Sequence, residues 1–227
     1  MIRLFALILI LLTSHVSLAE SDASTKTKRV LVFVGYTDEE NLNETLAHPF
    51  SKKHSFSLAY RVELGIKRSL IDMGMNFQSD SLFLKKDNSL EVTIFNVNVL
   101  CPGESLREKN LRSNLCYHQI QRSEQAVKYL ERNLNKFDEF IYIGHARKGA
   151  GLALGPFVPE YTYPLKFYNS VDQGRLKKIV LASCSSQSFY SPLAQRFDFV
   201  GTSDRLLLFK DLLPLVQGEL RKLIQAP

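Results

Sequence analysis

The stretch Phe140-Ile141-Tyr142-Ile143-Gly144-His145 decides how this chain is read. A short apolar run that ends in glycine has the pattern of a strand covered on both faces, as in a parallel sheet. Two other stretches share its grammar. Arg29-Val30-Leu31-Val32-Phe33-Val34-Gly35 comes earlier, and Lys178-Ile179-Val180-Leu181-Ala182-Ser183-Cys184 comes later. Leu90 to Leu100 alternates with β-branched residues and reads as another strand, as does Phe197-Asp198-Phe199-Val200-Gly201-Thr202. Between them lie helical periodicities. Leu58, Val62, Ile66, Leu70 and Met73 share one face, with Gly74 at the C-terminal cap position. Ala126, Val127, Leu130, Leu134 and Phe137 mark a second helix, with Ser123 as its N-cap. Phe209 to Ile224 closes the chain as a helix that tolerates Pro214 only in its first turn, with Asp211 as cap. Residues 37–56 and 146–175 read as long loops.

Strands alternating with helices predict an α/β fold with a mostly parallel sheet. Right-handed crossovers then gather the carboxyl ends of the strands along one edge. Ligands and reactive groups belong at that edge.

The chain has 227 residues, 45% hydrophobic and 23% charged. These values suit a globular domain and exclude disorder and collagen-like structure. A length of this order predicts one domain, over 29–227. Met1-Ile2-Arg3, the apolar run Leu4 to Leu12 and Ser17-Leu18-Ala19 have the three parts of a secretory signal peptide cleaved before Glu20. Residues 20–28 read as a polar tail. No later run is long enough to span a bilayer, so the mature chain is expected to have no transmembrane segment and to be periplasmic or secreted. The net charge of +6 is spread over scattered pairs such as Lys52-Lys53 and Lys177-Lys178, which predicts a solvated surface and no nucleic-acid partner.

An exported chain can hold disulfides. Cys101 and Cys116 bracket a polar loop. A bridge between them would close a loop of about 15 residues and stabilise by roughly 3 kcal/mol in the chain-entropy model. That pairing leaves Cys184 as a thiol.

His145 and Cys184 each stand just past the carboxyl end of an apolar strand. If the two strands are neighbours, about 4.8 Å apart, a nucleophile and its base share one crevice without being adjacent in sequence. The backbone N–H groups of Ala146 and Cys184 are the candidate oxyanion donors.

The pattern resembles the caspase-like cysteine peptidases of clan CD, which include caspases, legumains, gingipains, separase and CHAT domains. Their signature is a hydrophobic block followed by His-Gly, then a later hydrophobic block followed by Ala-Cys. Here the blocks run from Phe140 to His145 and from Ile179 to Cys184, and His145 and Cys184 are 184 − 145 = 39 residues apart. Caspases place the histidine about 50 residues upstream of the cysteine. Ala146 stands where the family has glycine, and Ser183 where it has alanine. The resemblance implies a three-layer α/β/α sandwich. It also implies that Cys184 is the nucleophile and His145 the general acid/base, with no cofactor. The P1 pocket would be built from loops at the same edge. Asp204 and Ser183 are the candidate substrate-binding residues, and a carboxylate at 204 would favour a basic P1 residue through a desolvated ion pair.

Other chemistries find no motif. There is no Cys-x-x-Cys, no His-Glu-x-x-His, no Walker loop and no Gly-x-Ser-x-Gly, and position 190, where a phosphatase loop needs arginine, is Tyr190. His48, His54 and His118 read as surface residues rather than metal ligands. The expected function is therefore an exported cysteine endopeptidase acting on a peptide or protein substrate. The alternative is a catalytically inactive caspase-like pseudoenzyme that binds peptides or proteins in the cell envelope. A third reading is a structural envelope protein with Cys184 buried.

Overall fold

The computed structural model describes residues 27–36, 57–99, 117–146, 149–155, 161–163, 174–203 and 209–225. Among the described residues nine strands fall in two sheets. In chain order the large sheet contains β1 (Lys28–Val34), β2 (Asn76–Ser79), β3 (Leu82–Leu84), β4 (Leu90–Asn96), β5 (Glu139–Ile143), β8 (Lys178–Ala182) and β9 (Asp198–Gly201). Across the sheet the order is β2-β3-β4-β1-β5-β8-β9. The five strands β4, β1, β5, β8 and β9 are parallel to their neighbours, and β2 and β3 join antiparallel at the β4 side. A small ribbon pairs β6 (Leu152–Ala153) with β7 (Thr162–Tyr163).

Helices cover both faces. Helix α1 (Ser57–Asp72) and helix α4 (Phe209–Gln225) lie on one, packing Val62, Ile66, Leu70, Leu212, Val216 and Leu220 against Val32, Ile141 and Val180. Helix α2 (Tyr117–Asn133) lies on the other, together with the short turns α3 (Ser186–Phe189) and 191–195. There Ala126, Leu130, Tyr190 and Leu193 pack with Leu31, Phe33, Phe140, Tyr142 and Leu181. The result is a three-layer α/β/α sandwich. The arrangement follows from the hand of the crossovers. The chain steps from β1 to β4 in one direction through α1 and from β4 to β5 in the other through α2, so right-handed connections put these helices on opposite faces. The strands read as continuous apolar runs because each face has its own helices to bury against.

Helix α1 ends where its periodicity says it should. Gly74 takes φ +85°, its N–H donates to Ile71 O at 2.9 Å, and Met75 N–H donates to Leu70 O at 3.0 Å. This is a Schellman closure, with Met75 and Leu70 both buried beneath it.

Several expectations needed correction. The strand expected to reach Leu100 stops at Asn96, and the β2–β3 hairpin before it was not foreseen. Its apolar signal is short, and Phe77 and Phe83 hold it by an edge-to-face contact at 5.6 Å. The loop expected over 146–175 contains β6 and β7. Ser123 is not an N-cap, because helix α2 begins at Tyr117. Ser123 is buried within the helix and its hydroxyl donates back to Gln119 O at 2.9 Å. The first turns of α2 carry polar residues that pack on the chain leaving β4, so no apolar stripe announced them. Helix α4 likewise starts at Phe209, which makes Pro214 an interior residue rather than a first-turn one.

Several ion pairs sit at the amino edge of the sheet. Asp138 accepts from Arg175 Nη2 at 2.7 Å and from the Arg29 N–H at 2.8 Å. The buried Glu219 carboxylate pairs with Lys178 at 2.7 Å and Lys222 at 2.6 Å. Burial pushes the Glu219 pKa up, but hydrogen bonds from the two lysines outweigh it, and the group titrates below its ordinary value of 4.5. A carboxylate depressed in the folded state contributes stability that is complete above its ordinary value and lost as pH falls through the folded one. Glu219→Gln leaves Lys178 with only the more distant Asp198 carboxylate, at 3.7 Å, and should cost about 2 kcal/mol at pH 7. The difference between the two proteins should shrink on going to pH 3, as read by urea unfolding at each pH. A difference independent of pH would contradict the ion pair's role.

Candidate active site

The parallel register fixes where the two reactive side chains stand. Ile143 on β5 pairs with Ala182 on β8. The ladder runs one residue further, with Gly144 N–H donating to Ala182 O at 3.2 Å. His145 and Cys184 are each two residues past that registered pair, on adjacent strands and at the same edge. Both are partly exposed, and Cys184 is a thiol rather than half of a disulfide.

The segment that presents Cys184 is a tight turn clamped to its neighbour. Ser183 N–H donates to Leu181 O at 3.0 Å, and Ser186 N–H donates to Ser183 O at 3.2 Å. Ser185 takes φ +52°, a left-handed conformation that costs a non-glycine residue roughly 1–2 kcal/mol. Polar contacts to the chain beyond β9 oppose that cost. The Ser186 hydroxyl donates to Leu181 O at 2.7 Å and accepts from Thr202 N–H at 2.8 Å. The Thr202 hydroxyl donates to Ser183 O. Gln187 N–H donates to Thr202 O at 2.9 Å.

The segment that presents His145 is held by two tyrosines from inside the core. Tyr142 Oη lies 3.0 Å from the carbonyl of His145 and 3.1 Å from that of Ala153, and its one proton is donated to either. Tyr190 Oη donates to the carbonyl of Ala146, at 2.9 Å. Tyr190 is fully buried, and burial pushes its phenol pKa upward, so it remains a neutral donor. The backbone of both residues is further tied by Ala153 N–H to His145 O at 3.1 Å and Gly149 N–H to Ala146 O at 2.9 Å. Ala146 is itself buried in the cluster that holds Tyr142, Leu181 and Tyr190. The methyl group that replaces the expected glycine hydrogen is therefore packed in the core.

The other candidate residues fall as follows. Ser183 is fully buried, and its hydroxyl has no hydrogen-bond partner among the described residues. An unsatisfied buried hydroxyl costs about 1–3 kcal/mol. Ser183→Ala should therefore raise stability by about 1 kcal/mol, read as a higher urea midpoint. A lower midpoint would mean that the hydroxyl has a partner. Asp204, Cys101 and Cys116 lie outside the described residues, as do residues 1–19 and the loop histidines His48 and His54. His118 lies on α2, with its side chain outside the described set. Among the described residues there is no cluster of metal-ligating side chains, and no helix is long and apolar enough to cross a membrane.

Tyr142, Tyr190, Ser186 and Thr202 carry the geometry of this edge and were not singled out in the sequence. Tyr142 sits inside the diagnostic strand, where an aromatic residue reads as ordinary core. The sequence matches no protein-family model and no curated protein, so the functional reading rests on the arrangement of this edge.

Proposed function

We propose that the chain is a cysteine endopeptidase in which Cys184 is the nucleophile and His145 the general acid/base. The observation that carries this reading is the shared position of the two residues, each two past the paired Ile143 and Ala182 on adjacent parallel strands. The resemblance of both motifs to caspase-like peptidases supports it, as does the sandwich architecture.

The Cys184 sulfur attacks the scissile carbonyl as its proton passes to the His145 imidazole, forming an S–C bond and an oxyanion. Backbone N–H groups of Ala146 and Cys184 stabilise that charge. Collapse breaks the C–N bond, and the imidazolium gives its proton to the leaving amine. Water, deprotonated by His145, then hydrolyses the thioester. The role of Tyr142 and Tyr190 is positional: their hydroxyls brace the backbone that carries the base.

Incubation with a diverse peptide library, read by mass spectrometry beside Cys184→Ala, tests the reading. Cleavage that disappears in the variant supports it and reports the P1 residue. Cleavage that persists in Cys184→Ala refutes it. Peptides bound but left intact by both proteins would instead favour a binding module of the same fold.

A further inference from the structure

An open groove of about 550 Å³ lies at the carboxyl end of β4. Glu63, Asn96, Asn98, Gln121, Arg122 and Gln125 contribute to its walls, and so does Asp80. Arg122 is half-buried and held in place. Its guanidinium lies 4.0 Å from the centroid of the Phe95 ring, and its Nε donates to Asn96 O at 2.9 Å. Among the described residues its Nη groups have no hydrogen-bond acceptor. Burial pushes its pKa down, so the charge is held where water solvates it poorly. A guanidinium that is oriented, partly desolvated and uses one donor of five is prepared for a planar anion.

The Glu63 carboxylate lies near enough to favour the charged guanidinium, but among the described residues neither it nor Asp80 accepts a hydrogen bond from Arg122. Glu63 is engaged by Lys67 at 2.6 Å and by Asn96 Nδ2 at 2.7 Å. Asp80 is exposed on the hairpin side. The Asn96 and Asn98 carboxamides are engaged with Glu63, with Gly35 O and with each other, which fixes that wall of the groove.

The groove and the dyad share one row of the sheet. Asn96 pairs with Val34, Val34 with Ile143, and Ile143 with Ala182. Three strand spacings of about 4.8 Å separate the ends of that row, or roughly 14 Å. An extended chain rises about 3.3 Å per residue and covers this distance in about four residues. Hydrogen bonds link the ends of these strands. Asn98 Nδ2 donates to Gly35 O at 2.9 Å, and Gly35 N–H donates to Ile143 O at 2.8 Å.

We propose that this groove is a subsite for an acidic side chain of a peptide lying along the carboxyl edge of the sheet, about four residues from the carbonyl held at Cys184. The assignment of the distant end rests on the peptidase reading. The carboxylate preference of Arg122 does not.

The test uses the full chain carrying Cys184→Ala and fluorescent octapeptides of one sequence, with Glu or Gln at each position in turn. At one position Glu should bind about tenfold more tightly than Gln by anisotropy, a ratio worth about 1.4 kcal/mol. Arg122→Gln should return that ratio to one. Gln125→Glu, which leaves the Arg122 contacts intact, should weaken the Glu peptide several-fold with little change for the Gln peptide. Equal binding of Glu and Gln peptides at every position, no binding of either, or a preference that survives Arg122→Gln overturns the proposal. The same peptides are then incubated with the Cys184 protein. A Glu preference without cleavage removes the peptidase reading and keeps the groove. Cleavage without a Glu preference does the reverse.

Discussion

Cys184→Ala is expected to abolish peptide hydrolysis, and His145→Ala to lower kcat by about 10²–10⁴-fold, the usual worth of general acid–base catalysis. The two effects should not add. Without the sulfur there is no thioester route for the imidazole to assist, so the double variant should be no worse than Cys184→Ala alone. A covalent probe separates this from mere misfolding. A peptidyl thiol-reactive inhibitor should label the parent protein and fail to label Cys184→Ala, while both unfold at similar urea concentrations. The cysteine is partly exposed at the end of its strand and fills no core position, so its truncation leaves little cavity. If His145→Ala retained the full rate, the histidine would be a polar residue at a strand end and the dyad would be refuted.

Gly144→Ala is expected to destabilise the chain by about 2–3 kcal/mol, the cost of overpacking a filled core. A Cβ at Gly144 would lie 2.7 Å from Tyr142 Cζ and 3.1 Å from Gly35 Cα. Tyr142 cannot swing away, because a Cβ at Gly35 would meet the same ring at 2.6 Å and the ring is fully buried. Its hydroxyl also lies within hydrogen-bond distance of His145 O, so the substitution reaches the edge that carries His145 as well as the core. Tyr142→Ala empties the space the new methyl needs. Combined with Gly144→Ala, it should cost at least 1 kcal/mol less than the sum of the single changes, a coupling typical of residues in contact. Urea unfolding of the four proteins measures it. Strict additivity would show that the glycine is not required by the tyrosine.

These two expectations differ in how visible they were. His145 and Cys184 were legible because each follows an apolar run of a type that needs burial on both faces. That pattern survives in sequence because it is local. The glycine at 144 was legible only as the end of a run. Its actual constraint is Tyr142, two residues earlier, and the backbone of Gly35 just past β1, more than a hundred residues away. Tyr190 and Thr202 were silent for a similar reason. Each acts on a carbonyl in another segment, and a hydrogen bond to backbone leaves no pattern of spacing. The amino half of α2 was missed because Gln119 and Arg122 bond to the chain leaving β4 instead of forming an apolar stripe.

By itself the sequence determined the alternation of strands and helices, the strands that are buried on both faces and the edge where His145 and Cys184 emerge. These depend on short-range periodicity and on the cost of leaving apolar runs in water, which act wherever the chain goes. The tertiary structure alone decided that β5 and β8 are neighbours in register. It also set Ser183 inside the core and brought the end of β4, beside Arg122, onto the same row of the sheet as the ends of β5 and β8. Strand order and register are settled by long-range pairing, in which segments far apart in the chain compete for the same partners, and that competition is resolved only when both helical layers close over the sheet.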